Sequence, residues 1–345
     1  VVIFVYFWNL GVWGAIVALF IAYLPSIAIL LIYNIPKIKD EFNFEYVKKW
    51  FKLFWVPTYR QLPGTLVLTD VVIFSVITGS VVGVAYFTAA RTIGYLVDHT
   101  RTIAQAMYPK LLEGGKQEFL QENLMLFFFL SFPLVGLSII FSEAGLFMLN
   151  PIYVIASPVV IFLSLRAFLA ALNSNFFLGL QGLDKVDVEK KSTFKDYAKS
   201  QLMLNPTFQL IRSAIYFGSL AIIFSVETDK NFNIELISLW ALIGLLVEIP
   251  LTCYMIHLVK KQFTLNLQWS SITKYFLTCL GVLGLTYFLM QEFLVFEEAI
   301  FIFLPNLLPF IIFGGVLYFG ITIIIDKRAK NLATKIFAEI NSKIR

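Results

Sequence analysis

An all-α, polytopic membrane bundle is the fold class this sequence predicts, and three observations predict it. Of 345 residues, 59% are hydrophobic and only 14% are charged, with 36 Phe among them. The mean hydropathy is +0.81, more apolar surface than a soluble domain of this size can hide. Nearly uncharged stretches of about 20 residues, the length that crosses a bilayer, recur along the whole chain.

Taken in order, the apolar runs predict nine spans: 9–33, 52–78, 82–108, 124–147, 156–181, 200–225, 235–258, 272–290 and 299–325. The chain opens on Val1 inside the apolar run VVIFVYFW, with neither a charged leader nor a cleavage site. That opening reads as an N-terminal truncation with further helices upstream, not as a signal peptide.

The connections alternate in charge. Lys37, Lys39, Lys48, Lys49 and Lys52 fill the first, Lys110 and Lys116 the third, and Lys185, Lys190, Lys191, Lys195 and Lys199 the fifth. Lys260, Lys261 and Lys274 follow at the same parity, and the tail carries Lys327, Arg328, Lys330, Lys335, Lys343 and Arg345. The opposite connections hold Lys230 alone, beside Glu227, Asp229, Glu292, Glu297 and Glu298. The positive-inside rule therefore assigns the lysine-rich loops and the C-terminus to the cytoplasm. The net charge of +5 belongs to this topology and not to a nucleic-acid surface.

Several function classes are disfavoured by the same reading. No connection is longer than roughly 20 residues, which leaves no room for a soluble catalytic domain, and there is neither a phosphate-binding glycine loop nor a zinc-protease motif. The reading is accordingly not an enzyme, with no catalytic residues, no cofactor and no metal. Cys253 and Cys279 read as small buried hydrophobes, and His99 and His257 as interfacial polar residues.

Five basic residues lie inside the spans, Arg60, Arg91, Arg101, Arg166 and Arg212, and all are Arg. A charge at mid-bilayer costs about 2.5–3.5 kcal/mol on insertion scales, so each must face something polar. At α-helical spacing Arg91, Tyr95, Asp98, Thr102 and Gln105 form one stripe, with Ile93, Leu96, Val97, Ile103 and Met107 opposite. Arg101 is within reach of Asp98, and Arg91 within reach of Tyr95. Span 200–225 repeats the design with Asn205, Gln209, Arg212, Tyr216 and Ser219, and Arg166 and Asn173 share a face of span 156–181. Arg60 sits between Pro57 and Pro63, where a kink is expected to free backbone carbonyls.

Two readings of these stripes stand side by side. In one, they pack helix on helix, each arginine balanced by Asp70, Asp98, Glu248 or carbonyls. In the other, five arginines outnumber those three deep acids, and a cationic chamber results that suits an anionic ligand. Guanidinium grips phosphate oxygens two at a time and cannot lose its proton, so arginine without lysine favours the phosphate reading.

Asp70 in LVLTDVVIFSV, the G-x-x-Y-x-x-A pattern of Gly83, Tyr86 and Ala89 in VVGVAYFTAARTIGYL, and AMYPKLLE with Pro109 resemble a known family. It is that of the polysaccharide flippases of the multidrug/oligosaccharidyl-lipid/polysaccharide exporter superfamily. SPVVIFLSLRAFLAALNSNFFLGLQGLDK, residues 157–185, is similar to the helix that follows in that family. The resemblance implies a two-lobe transporter with most of the first lobe missing. Residues 1–33 would end that lobe, 34–51 would be a cytoplasmic loop, 52–258 the second six-helix lobe, 272–325 two additional spans and 326–345 a basic tail.

It further implies alternating access in the cell membrane. A lipid-diphosphate-linked oligosaccharide or polysaccharide precursor would be flipped outward, with membrane lipids around the protein and glycan-assembly enzymes as partners. Arg91 stands where relatives often carry a basic residue, whereas Arg166 departs from the usual small one. On this expectation Arg91, Arg212, Arg60, Arg166, Tyr95, Tyr216, Gln209 and Asn173 bind the substrate, while Asp98, Arg101, Asp70 and Glu248 couple an ion or balance charge. The alternatives are a drug or cation antiporter of the same superfamily, a membrane-embedded glycan polymerase or glycosyltransferase, and a structural scaffold.

Overall fold

A backbone in hydrocarbon must satisfy its N–H and C=O groups within its own segment, and a helix does so. In the computed structural model every regular element among the described residues is helical. The structure describes residues 10–35, 44–67, 69–103, 117–182, 194–226 and 233–332, with residues 4, 8, 105 and 334. Most of the expected lysine-bearing loops, at 36–43, 106–116 and 183–193, lie outside the described residues. So do the opposing loop 227–232, Pro109, Met107 and the tail beyond 334.

The helices are α1 (Gly11–Asn34), α2 (Phe44–Leu53), α3 (Trp55–Leu66), α4 (Thr69–Thr78), α5 (Val82–Gly94), α6 (Gln117–Ile140) and α7 (Ser142–Leu149). They continue as α8 (Ser157–Gln181), α9 (Phe194–Lys199), α10 (Gln201–Val226), α11 (Ile234–Gln262), α12 (Trp269–Phe293) and α13 (Ile300–Ile325). Tighter 3-10 segments cover Tyr95–Thr100 and Pro151–Ala156.

Among the described residues, 8 helical stretches are long and apolar enough to cross a membrane. The chain is thus a multi-pass membrane protein by length and composition. Each corresponds to one of the nine expected spans, and the ninth, 82–108, is not one continuous α-helix over its described residues. There α5 ends at Gly94, the chain tightens into 3-10 geometry, and described helix resumes at 101–103. The expected span 52–78 is also interrupted. Pro63 stays inside α3, its carbonyl accepting from the Val67 N–H at 3.2 Å, and a described turn at Phe54 separates α2 from α3. Gly79, at φ +67, turns the chain from α4 into α5 in a conformation that residues with a Cβ rarely adopt.

Helix ends carry their own signals. Asn233 caps α11, its side chain accepting the Glu235 N–H at 2.8 Å, and Lys260 and Lys261 stand in the last turn. Acceptor and anion at the N-terminus and cations at the C-terminus all complement the backbone dipole.

The fold divides into two units, Val1–Thr58 and Tyr59–Arg345. The first holds α1, apolar and exposed over nearly its whole surface, and the amphipathic α2. In the second, the most extensive helix contact is between α8 and α11, with α5 and α6 packed on α8 and α10 on α4 and α11. The last pair, α12 and α13, pack on each other and both reach α6, where the Tyr318 hydroxyl of α13 donates to the Phe129 carbonyl at 2.8 Å. Cys279 is buried in that contact as expected, whereas Cys253 is exposed on α11.

On α10, Ile211 and Ile215 are exposed, while Ser213 and Tyr216 are buried. Lipid is as apolar as leucine, so hydrophobic side chains gain little by leaving it, and close packing and polar contacts hold the helices together.

Candidate functional site

Three helices meet along a single seam. On α11, Trp240, Gly244, Glu248 and Thr252 recur every fourth residue and face both neighbours. Tyr216 and Arg212 of α10 run along this line in the opposite direction, and Arg166 and Asn173 of α8 in the same direction. Trp240 and Arg166 both meet Tyr216, Arg166 lies against Gly244, and Glu248 binds both Arg212 and Asn173.

At one level of the seam the Tyr216 hydroxyl is the hub. It accepts from Arg166 Nη1 at 3.3 Å and from Trp240 Nε1 at 2.8 Å, and donates to Asp70 Oδ2 of α4 at 3.1 Å. Two acceptances and one donation use the full capacity of a phenol. The Arg166 guanidinium also lies over the Tyr216 ring, 4.6 Å from its centroid. Asp70 takes a second bond from the Val71 N–H at 2.8 Å, so the first turn of α4 helps hold the carboxylate. Trp240 is itself clamped between Phe87, at 3.6 Å between centroids, and Phe74, at 4.7 Å. That stack fixes where its N–H points.

At the next level Arg212 Nη1 meets Glu248 Oε2 at 2.6 Å. Asn173 Nδ2 donates to Glu248 Oε1 at 2.9 Å and to Thr252 Oγ1 at 3.0 Å, and the Thr252 hydroxyl donates to the Glu248 carbonyl at 3.0 Å. Glu248 is only 1% exposed. The Asn173 Oδ1 is a buried acceptor with no protein partner. Buried acceptors of this kind ordinarily hold water or a ligand.

The levels touch through Gly244. A Cβ there would stand 2.5 Å from Arg166 Nη1 and 2.9 Å from its Cζ, so only glycine leaves room for the guanidinium between α8 and α11. The remaining expected stripe begins at Arg91 on α5 and runs on through the 3-10 segment Tyr95–Thr100. Its neighbour pairs are present. Arg91 lies over the Tyr95 ring at 4.9 Å, and Arg101 Nη2 is 3.0 Å from Asp98 Oδ1. Arg60 is exposed, and Gln209 binds its own helix neighbour, with Nε2 donating to Asn205 Oδ1 at 3.2 Å.

Of the eight expected substrate-binding residues, Arg166, Asn173, Arg212 and Tyr216 lie along the seam, Arg91 and Tyr95 form a pair of their own, Arg60 is exposed and Gln209 bonds to Asn205. Arg166, Tyr216 and Asn173 are parts of buried networks, and Arg212 is held by its own acid. The three deep acids are each engaged: Glu248 with Arg212, Asp98 with Arg101, and Asp70 with Arg166 through Tyr216. Arg91, half-buried, acts electrostatically on both Asp70 and Asp98 without a hydrogen-bonded carboxylate of its own among the described residues. Trp240, Gly244 and Thr252 were missed by a search for charges. The signal for them is the four-residue period that leads to Glu248.

Among the described residues no three His, Cys, Asp or Glu side chains gather to hold a metal ion. No protein-family description, no curated protein and no solved structure matches this chain.

Proposed function

We propose that this protein is a flippase of the multidrug/oligosaccharidyl-lipid/polysaccharide exporter superfamily, moving a lipid-diphosphate-linked glycan precursor across the cell membrane. Arg91 is the primary contact for the anionic headgroup in this reading, with Arg60 second. The observation that carries it is the surplus of guanidinium after pairing: each deep acid already faces another arginine, and Arg91 stands over Tyr95 with hydrogen-bond donors uncommitted among the described residues. A permanent planar cation stacked on a phenol suits a diphosphate, which it can meet with two parallel bonds. Tyr95 beside it offers a ring face to a sugar.

Arg166 and Arg212 take a different part from the one their sequence context suggested. Both belong to the seam, where they brace α4, α8, α10 and α11 so that the wall carrying Arg91 keeps its shape. The residues that resemble the family, Asp70, Gly83, Tyr86 and Ala89, surround this braced region and support the assignment.

Binding of a polyprenyl diphosphate to the purified chain, followed by native mass spectrometry, tests the proposal. Arg91→Ala should weaken binding about tenfold or more, as loss of a charge-assisted bidentate contact does, and Arg91→Lys should recover part of it. Binding unchanged in Arg91→Ala, or a wild-type chain that prefers an organic cation, would replace this reading with that of an antiporter.

A further inference from the structure

Ahead of the second span lies α2, a helix unlike the others among the described residues. In α2, FEYVKKWFKL, Glu45, Lys48 and Lys52 fall on one face, and Val47, Trp50, Phe51 and the following Phe54 on the other. The segregation is much sharper than in α1, which is apolar on nearly every side. Trp50, Phe51 and Phe54 are 57%, 68% and 48% exposed, and Trp50 packs edge-on against both phenylalanines at 5.3 Å. They form an aromatic ridge. Lys48 and Lys52 are exposed on the other side.

We propose that α2 is an interfacial anchor that lies in the headgroup region of the lysine-rich leaflet and binds anionic phospholipid. Two facts commit the occupant to a bilayer surface. The same stretch runs directly into a span counted from Trp50, so Trp50 stands where a membrane-crossing segment begins. Trp at that depth, apolar rings below and lysines above is the arrangement by which an amphipathic helix enters the acyl boundary while its cations meet phosphate. The two lysines of the polar face complement the negative surface of anionic lipid, each contributing roughly fivefold to partitioning. This inference concerns the anchor alone and stands whether or not the chain is a flippase.

The test uses the full chain with exposed Cys253 replaced by Ala, a nitroxide label placed at Phe51→Cys or Lys48→Cys, and nanodiscs of phosphatidylcholine with or without phosphatidylglycerol. Buried Cys279 remains unlabelled. The label at 51 should collide with oxygen more than with a water-soluble nickel chelate, and the label at 48 should do the reverse. Phosphatidylglycerol should deepen the label at 51, and Lys48→Gln with Lys52→Gln should abolish that deepening. A label at 51 open to nickel would overturn the proposal by placing the helix in water. One shielded from both quenchers would overturn it by placing a protein partner there, and one indifferent to phosphatidylglycerol would remove the anionic preference.

Discussion

Tyr216 carries three hydrogen bonds on one oxygen, and its removal is the sharpest single-atom change the seam allows. Tyr216→Phe would leave the Trp240 N–H unpaired and separate Arg166 from Asp70, with no water in hydrocarbon to replace the hydroxyl. Each group so stranded costs about 1–3 kcal/mol. The expected outcome is a clear drop in the thermal midpoint of the detergent-solubilised protein; an unchanged midpoint would show that the hub does not stabilise the bundle. Gly244→Ala should act on the same guanidinium by steric means. Because its Cβ meets Arg166 at 2.5 Å, Gly244→Ala combined with Arg166→Leu should lose less than the sum of the two single changes.

Single residues were also where sequence reasoning was at its best and its worst. Arg101 against Asp98 and Arg91 over Tyr95 are local, set by helix geometry, and therefore legible. Arg212 against Glu248 joins two helices through residues 36 positions apart, and a single sequence contains no signal for such a pairing. On the polar stripe of α10, Arg212 and Tyr216 meet α11 while Gln209 and Ser219 bond within their own helix, and what that stripe meets had to come from the fold.

At the scale of the helix, the Arg212–Glu248 pair makes a prediction about charge burial. Removing one member leaves an uncompensated ion, which costs about 3–5 kcal/mol, whereas replacing both with apolar residues is often neutral. Arg212→Leu should therefore unfold at a much lower temperature than wild type, and Arg212→Leu with Glu248→Leu should recover most of the loss. Equal losses in the single and double variants would argue that the two side chains act separately. The helix scale also explains the misread of 82–108. Nothing in YLVDHT announces that Tyr95–Thr100 tightens to three residues per turn.

The end of α13 offers a pH test outside the membrane. Asp326 accepts from the Tyr275 hydroxyl at 2.7 Å, the Ser271 hydroxyl at 2.9 Å and the Ala329 N–H at 3.1 Å, with Lys274 Nζ 3.9 Å away. Burial pushes this carboxyl upward, but the Tyr275, Ser271 and Ala329 hydrogen bonds and the lysine outweigh it and hold the group below its usual range. A lowered folded value means stability that is present above the unfolded value near 3.9 and lost as pH falls through the folded one. The tie between α12 and the end of α13 should thus weaken below about pH 4. Asp326→Asn should show less of that acid loss of thermal stability than wild type.

Across the whole molecule, composition and hydropathy were enough to establish a helical multi-pass protein, because the bilayer dictates helix length and permits little else. The number of spans was nearly legible for the same reason. Which charges are spent on holding the bundle together was not, since an excess of five arginines over three acids looks the same in a sequence whether the pairs are made or open. Pairing in space divides them among the described residues: Arg101 and Arg212 meet carboxylates and Arg166 meets Tyr216, and the proposed function leaves Arg91 and Arg60 for a ligand.

That division is tested most directly by following a fluorescent polyprenyl-diphosphate oligosaccharide across proteoliposomes that contain the purified chain. The account predicts transbilayer movement by wild type, near-complete loss in Arg91→Ala, partial recovery in Arg91→Lys, and retained movement when Arg212 and Glu248 are both leucine. Full-rate movement in Arg91→Ala, or none from a well-folded wild type, would contradict it.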